Sequence, residues 1–179
     1  MLIVGLGNPG PRYETTRHNA GFILVDLLAD KFGLTLAEQP KFKSELAKGS
    51  VFGVNCHLLK PLTFMNLSGD AVAAYARFFK IPASEIIVVH DDIDTPAGKV
   101  KARMGGSHGG NNGVRDIIAK MGTDQFKRIK LGVGKPQKPE DGSVSDWVLR
   151  PFTDEQLQEL GQEMFDDMLL RLKGILDKA

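Results

Sequence analysis

Two short runs of apolar residues constrain the fold of this chain more than any other feature of its sequence. Met1–Gly5 and Glu85–Val89 are almost continuously apolar, and both are too short to form a core helix. A strand that is apolar on both faces is typical of a sheet covered by helices on both sides. The two runs therefore predict an α/β fold in which these strands are buried in the sheet.

Strand and helix patterns alternate along the rest of the chain, which predicts a single domain, residues 1–179, with a mixed central β-sheet flanked by helices. Further strands are predicted at Ser44–Val51, Val54–Leu59, Lys99–Met104 and Ile129–Val133, the first two forming a hairpin around Gly53. Helices are predicted at Gly21–Phe32 and Asn112–Met121. The polar segment Pro136–Asp146 is predicted to be a mobile loop.

Two more helices are predicted from residues suited to capping. Asn66 is placed as the cap of a helix that ends before Pro82, and a capping box formed by Thr153 and Gln156 begins a long final helix. The predicted buried face of the first helix consists of Ala71, Val72, Tyr75, Phe78 and Phe79. The predicted buried face of the second consists of Phe165, Met168, Leu169, Leu172 and Leu176.

The composition excludes several classes of protein. The 42% hydrophobic and 25% charged residues are typical of a globular domain. The single cysteine, Cys56, allows neither an intramolecular disulfide nor a structural zinc set. No apolar stretch approaches the roughly 20 residues of a membrane span, and the apolar start lacks the basic leader of a signal peptide. We therefore expect a cytoplasmic protein without a membrane partner.

Charge is distributed unevenly along the chain, although the net charge is only +1. Residues 98–135 carry nine basic and two acidic side chains, whereas residues 136–179 carry five and ten. A basic stretch of this kind can bind a polyanion, because neutralising phosphates releases counterions. A surface balanced by the acidic C-terminal part explains the charges equally well, so charge alone leaves both interpretations open.

The glycine-rich segment after the first strand matches a known pattern only in its letters. Gly5–Gly10 has the G-x-G-x-x-G spacing of dinucleotide-binding proteins. Such a site requires a helix to begin within the glycines, whereas Pro9 and Pro11 delay the helix to about Gly21. A dinucleotide-dependent enzyme is therefore the less favoured interpretation of this loop.

His18 and a group of carboxylates are candidates for chemistry. His18 comes just before the predicted helix, and a free imidazole can act as a general base near neutral pH. Asp91, Asp92 and Asp94 follow the second buried strand, whose end can lie beside the end of the first in an open α/β sheet. One carboxylate could then fix the tautomer of His18 and stabilise its imidazolium. The alternative is a divalent metal site, which no further motif supports.

Four asparagines fall at junctions between strands, loops and helices, namely Asn8, Asn66, Asn111 and Asn112. Capping or turn formation is the common role of asparagine at such positions. An amide also donates and accepts hydrogen bonds, so a pocket lined with asparagine can hold a water and a peptide group. No Ser or Cys occupies a nucleophile elbow, and water is therefore the expected nucleophile.

Five ordered segments resemble the bacterial peptidyl-tRNA hydrolases over nearly the whole chain. They are Gly5–Gly10, Thr16–Gly21, Thr63–Gly69, His90–Asp94 and Gly105–Gly113. The resemblance implies a mixed α/β fold, usually monomeric, that uses no metal or other cofactor and hydrolyses the ester joining a peptide to the 3′ end of tRNA. A non-catalytic RNA-binding protein on the same scaffold, as among related plant organelle splicing factors, is the second hypothesis.

The resemblance also implies a role for individual residues. His18 would be the general base and Asp91 the carboxylate that orients it. The residues implied to position water and the peptide are Asn8, Asn66 and Asn112, with Phe64 and Met65 walling the cleft and Tyr13 beside it. The helix near Asn111 and the loop Pro136–Asp146 would border the channel as movable gates.

The basic segment would bind tRNA phosphates through Arg103, Arg115, Lys130 and Lys135. Three positions depart from the family's common pattern. Lys130 stands where Arg is common, which removes the possibility of a bidentate phosphate contact there. Arg103 stands where Lys is frequent, and Asn111 where His is frequent. We expect neither of these two to touch the pair of His18 and Asp91.

Overall fold

The two apolar runs form neighbouring parallel strands within one sheet. The computed structural model describes residues 1–179 and contains the strands β1 (Leu2–Gly5), β2 (Ala37–Gln39), β3 (Ser44–Val51), β4 (Val54–Pro61), β5 (Ile86–Asp92), β6 (Val100–Met104) and β7 (Lys127–Gly132). Their order is β2-β3-β4-β1-β5-β7-β6. Strands β4, β1, β5 and β7 are parallel, while β2, β3 and β6 run antiparallel to their neighbours. The predicted mixed sheet is confirmed.

Helices cover both faces of this sheet. They are α1 (Ala20–Lys31), α2 (Ser68–Phe78), α3 (Asn112–Met121), α4 (Val144–Val148), α5 (Asp154–Glu159) and α6 (Phe165–Asp177). On one face Ile3, Ile87 and Val89 pack in a core with α1 and α6. On the other face Val4 and Val88 pack in a second core with α2 and α3. Successive residues of a strand point to opposite faces, so the continuous apolar runs supply both cores. No helix combines the length and the apolar character needed to cross a membrane.

Several boundaries differ from the sequence prediction. Asn66 does not cap α2, which begins at Ser68 without a side-chain cap; Asn66 lies instead in a 3-10 turn, Met65–Leu67. Phe78 is predicted to be buried, but its side chain, at the last residue of α2, is 56% exposed. The short edge strand β2, whose three residues are all exposed, carries no apolar pattern and was not predicted.

The final helix follows the prediction with one addition. The capping box is present, because Thr153 Oγ1 accepts a hydrogen bond from Gln156 N at 3.1 Å and Gln156 Oε1 accepts one from Thr153 N at 3.0 Å. A π-helical segment, Leu160–Met164, joins α5 to α6. In α6, Met168, Leu169, Leu172 and Leu176 are buried as predicted, whereas Phe165 is half-buried.

The segment predicted to be a loop, Pro136–Asp146, contains a 3-10 turn at Pro139–Asp141 and the first residues of α4. Ser143 caps α4, since its Oγ accepts a hydrogen bond from Asp146 N at 3.1 Å. The polar composition of the segment conceals this cap, although Ser143 and Asp146 have the spacing of a capping box.

Candidate active site

A cavity of about 360 Å³ opens where β4, β1 and β5 end. Because these strands are parallel and adjacent, their carboxyl ends deliver three different loops to one place. The polar side chains lining the cavity are Asn8, His18, Asn66, Asp91, Asp92, Asn111, Asn112 and Ser145. The sequence-predicted catalytic pair and the three predicted asparagines are therefore brought together.

His18 and Asp91 form a hydrogen-bonded pair at the base of this cavity. Nδ1 of His18 lies 2.9 Å from Oδ2 of Asp91, and the side chains are 12% and 2% exposed. Burial alone lowers the pKa of His18, but the charge of Asp91 and the hydrogen bond to it outweigh burial and raise that pKa above its ordinary value. When Nδ1 donates to Asp91, the neutral ring keeps its lone pair on Nε2, which is the form a general base requires.

Asn8 is fixed in place by its neighbours. Its Oδ1 accepts a hydrogen bond from Met65 N at 2.7 Å, and its backbone N and O are bonded to the side chain of Asn19 at 2.8 and 2.9 Å. The Nδ2 group of Asn8 makes no bond within the protein and remains available as a donor to a bound molecule. Asn19 is a supporting residue that sequence reasoning missed, although it belongs to the same segment as His18.

Asn66 and Asn112 line the cavity from two other elements. Asn66 follows β4 in the 3-10 turn, and Asn112 is the first residue of α3. Both are exposed, and neither side chain bonds to the protein. Their amides are therefore free to meet a ligand.

The backbone beside Asn66 is strained. Phe64 adopts a φ of 67°, a left-handed conformation that is unfavourable for a bulky residue. Such a residue costs of order 1–3 kcal/mol and persists where the surroundings hold it. The hydrogen bond from Met65 N to Asn8 is such a restraint, and it turns the buried side chain of Met65 into the cavity wall.

Tyr13 and Phe64 do not line the cavity. Their rings contact each other edge to face with centroids 6.3 Å apart, and the Phe64 side chain is 50% exposed. A role for them in binding remains a prediction.

Asn111 contacts Asp91, contrary to the expectation from the sequence that it does not touch the pair of His18 and Asp91. Its Nδ2 donates to Oδ1 of Asp91 at 3.1 Å and to the backbone O of Asp91 at 3.2 Å. Its Oδ1 accepts from Gly113 N and Val114 N, so Asn111 also caps α3. The expectation was wrong because the distance along the chain between Asn111 and Asp91 gives no indication that α3 starts against the end of β5.

The remaining wall of the cavity comes from α4 and was also missed by sequence reasoning. Val144, Val148 and Leu149 supply its apolar part. Trp147 anchors this wall, because its Nε1 donates to Gly134 O at 3.0 Å and the guanidinium of Arg17 lies 3.8 Å from its ring centroid. Arg17 directly precedes His18, so this wall and the segment that carries His18 are attached to each other.

The carboxylates near the site do not form a metal-binding set. Oδ2 of Asp92 accepts from Thr95 Oγ1 at 2.6 Å, Oδ1 of Asp92 accepts from Asp94 N at 3.2 Å, and Asp94 pairs with Lys135. No three His, Cys, Asp or Glu side chains converge as metal ligands. The glycine loop likewise lacks dinucleotide geometry, because α1 begins only at Ala20, after two 3-10 turns.

None of the four predicted phosphate-binding residues lines the cavity. Arg115 borders a smaller adjoining cavity of about 190 Å³ that also contains Asn66 and Asn112. Lys135 forms an exposed ion pair of 2.9 Å with Asp94. Arg103 and Lys130 lie on neighbouring strands, β6 and β7.

The strand register places further cations on the same face as Arg103 and Lys130. Lys101 is opposite Lys130, and Arg103 is opposite Arg128, so the four side chains project to one side. Arg128 is 1% exposed and donates to the carbonyls of Gly106 and Ser107. Lys101 is exposed and was missed, although it shares the alternating pattern of Arg103.

Known proteins resemble this chain in sequence and in fold. The family model for peptidyl-tRNA hydrolase matches residues 2–179. Peptidyl-tRNA hydrolases of Halorhodospira halophila and Carboxydothermus hydrogenoformans are 48% and 49% identical to the chain, over 99% and 86% of its length and 92% and 80% of theirs. The crystal structure of peptidyl-tRNA hydrolase from Acinetobacter baumannii superimposes with a TM-score of 0.90 at 40% identity, covering 99% of this chain and 88% of that one.

Proposed function

Because this chain belongs to the peptidyl-tRNA hydrolase family, we propose that it hydrolyses the ester between an N-blocked peptide and the 3′ end of tRNA, with His18 as the general base. The observation that carries the proposal is the hydrogen bond between His18 and the buried Asp91 in a cavity lined by unpaired amides. An ester has a better leaving group than an amide, so an activated water suffices for its cleavage.

In the proposed reaction, Nε2 of His18 takes a proton from a water, and the resulting hydroxide attacks the ester carbonyl. Asp91 accepts the Nδ1 hydrogen bond throughout and stabilises the imidazolium that forms. The tetrahedral intermediate then collapses, and Nε2 returns its proton to the ribose oxygen as that oxygen leaves. General base catalysis of this type typically contributes about 10²- to 10⁴-fold.

The asparagines would divide the positioning between them. Nδ2 of Asn8 has no hydrogen-bond partner within the protein, whereas Oδ1 accepts from Met65 N. Asn8 would therefore donate a hydrogen bond to the oxygen of the attacking water. Asn66 and Asn112 keep donor and acceptor groups free and would pair with the carbonyl and N–H groups of the substrate. One donor to a developing oxyanion is typically worth about 3 to 4 kcal/mol.

The same pairing would reject aminoacyl-tRNA with a free amino group. A peptide group offers an N–H donor and a C=O acceptor, which match the two functions of an asparagine amide. An ammonium group has only donors, so the N–H donors of the site find no acceptor in it. Buried polar groups left unpaired oppose binding of the wrong substrate. We therefore propose selectivity for N-blocked substrates.

The test is incubation of the protein with N-acetylated and with free aminoacyl-tRNA in the presence of a chelator, measuring release of the esterified group. We expect cleavage of the blocked substrate alone and loss of that activity, by about 10²- to 10⁴-fold, in His18→Ala. His57→Gln is the matched control, since His57 lies on β4 outside the cavity.

Two outcomes would contradict the proposal. Cleavage at the parent rate by His18→Ala would exclude this base. Binding of tRNA without any hydrolysis by the parent protein would favour the non-catalytic RNA-binding hypothesis instead.

A further inference from the structure

Asn111 connects Asp91, the carboxylate proposed to orient His18, to a helix terminus. It is 8% exposed, and its side chain makes four hydrogen bonds: Nδ2 donates twice to Asp91, and Oδ1 accepts twice from backbone amides of α3. The backbone N–H groups of Gly113 and Val114 need an acceptor, which places Oδ1 of Asn111 toward α3. The carboxylate and the carbonyl of Asp91 need a donor, which places Nδ2 toward Asp91. The orientation of the Asn111 amide is therefore fixed by its surroundings.

This arrangement divides the oxygens of Asp91 between two partners. Oδ2 faces His18 at 2.9 Å, and Oδ1 faces Asn111 at 3.1 Å. With one oxygen held, rotation of the carboxylate about its terminal bond would break the contact to Asn111. The plane of the carboxylate, and with it the direction of the bond to His18, is set by a residue 20 positions further along the chain.

We propose that Asn111 is a positioning residue for hydrolysis, which holds the Asp91 carboxylate in the geometry that orients His18 and couples that geometry to the start of α3. The inference rests on the proposed function, because the pair matters only if His18 is the base. Asn112 is the next residue along the chain, so the same cap also places a substrate-facing amide.

Other charged groups near the pair have partners of their own. Asp92 is bonded to Thr95, and Arg17 lies over Trp147. The buried His90 donates through Nδ1 to the backbone O of Asp91, and burial lowers the pKa of His90, so its ring is neutral. The α4 wall contributes Val144, Ser145, Val148 and Leu149, none of which titrates. Changes at Asn111 therefore reach His18 through Asp91.

A simple capping role makes different predictions from a positioning role. Serine and aspartate are both good N-caps, so Asn111→Ser and Asn111→Asp keep an oxygen for the cap and remove the Nδ2 group that donates to Asp91. If Asn111 only caps α3, Asn111→Ser should behave like the parent, whereas Asn111→Asp places a second carboxylate beside Asp91 and raises the pKa of His18 in either case. Thr153→Ala is the control for loss of a cap elsewhere, at the start of α5.

The experiment measures the pH dependence of N-acetyl-aminoacyl-tRNA hydrolysis together with the NMR titration of the His18 ring. We expect Asn111→Ser to lower kcat about 10-fold, the factor for a lost hydrogen bond to a charged group, with the melting temperature near that of the parent. Removing the donor leaves more negative charge on Asp91, so the pKa of His18 rises in Asn111→Ser. It rises further in Asn111→Asp, because the new carboxylate adds a negative charge beside the pair. The acid limb of the rate profile should shift upward in the same order, and Thr153→Ala should leave it unchanged.

Unchanged kcat and an unchanged His18 titration in Asn111→Ser would overturn the inference. The NMR titration needs no turnover, so it separates the two proposals. A parent protein that fails to hydrolyse the substrate contradicts the proposed function, whereas the His18 titration of Asn111→Ser still decides whether Asn111 acts on the pair.

Discussion

At the scale of single residues, the site depends on the protonation of one imidazole. Asp91 raises the pKa of His18 above its ordinary value, yet a general base must be neutral to accept a proton. We therefore expect kcat to rise with pH through a midpoint above about 6.5, the ordinary value for histidine. In Asp91→Asn this midpoint should fall and the maximal rate should decrease. A midpoint that stays in place in Asp91→Asn would show that another group controls the profile.

The same pair makes a prediction about stability. The pKa of His18 is raised on folding, so its ion pair with Asp91 stabilises the folded state fully below the unfolded pKa. That contribution is lost as pH rises through the folded pKa. The melting temperature of the parent should therefore exceed that of Asp91→Asn by more at pH 5.5 than at pH 9. Thermal denaturation of both proteins at the two pH values measures this difference. An equal difference in melting temperature at pH 5.5 and pH 9 would contradict the prediction.

Asn8 offers a substitution that separates structure from catalysis. Aspartate at this position keeps the oxygen that accepts from Met65 N and loses only the free Nδ2 donor. We expect Asn8→Asp to melt near the parent and to hydrolyse about 10²- to 10³-fold more slowly, the usual cost of one lost donor. The negative charge of the new aspartate raises the pKa of His18. Rates are therefore compared at high pH, where the His18 ring is neutral in both proteins. Asn55→Asp, on the exposed end of the β3–β4 hairpin, should have no effect on the rate.

At the scale of elements, the site depends on how closely α1 approaches the sheet. A Cβ on Gly21 would lie 2.3 Å from the backbone O of Val89 and 2.7 Å from Leu6 N, so only glycine allows this contact. His18 lies in the 3-10 turn that leads directly into α1. The approach of this helix to the sheet therefore sets the distance between His18 and β5.

Two glycine substitutions test this packing. Gly21→Ala should destabilise the fold by about 1–3 kcal/mol, the range for overpacking. Gly174→Ala, in α6 with open space around its Cβ position, should instead stabilise by roughly 0.5–1 kcal/mol, because alanine favours a helix over glycine. Chemical denaturation measures both; similar effects of the two substitutions would argue against the close contact at Gly21.

At the scale of the whole molecule, the structure shows where the unevenly distributed charges of the sequence lie. Lys101, Arg103 and Lys130 share one face at the β6–β7 edge of the sheet, and Arg115 borders the adjoining cavity on α3. The acidic C-terminal part includes α6, which packs on the opposite face of the sheet. The arrangement leaves the basic face open to a polyanion.

Salt dependence tests whether this face binds tRNA phosphates. Arg103→Ala and Lys101→Ala should each weaken tRNA binding and reduce the slope of log affinity against log salt by about 1. Arg171→Ala removes another exposed arginine, on α6, where it pairs with Asp167, and should leave the slope unchanged. Equal slopes in all three variants would remove the β6–β7 face from the binding surface.

The sequence alone determined the features that depend on local pattern. The period of apolar residues defined most strands and helices, and the continuous runs Met1–Gly5 and Glu85–Val89 identified the strands that became β1 and β5. The parallel arrangement of such strands was also enough to place His18 near the carboxylates that follow the second buried strand, since the carboxyl ends of neighbouring parallel strands share one edge of the sheet. The resemblance to the family, and not the strand pattern, distinguished Asp91 among them.

Only the tertiary structure decided which amides are free and which are engaged. Asn8, Asn66, Asn111 and Asn112 have the same side chain and similar local settings, yet Asn111 is fully bonded, Asn8 retains one donor, and the other two are unpaired. Their partners lie up to 57 positions away along the chain. Hydrogen bonding depends on distance in space, and the packing of α3 against the end of β5 brings these groups together in a way that no local pattern encodes.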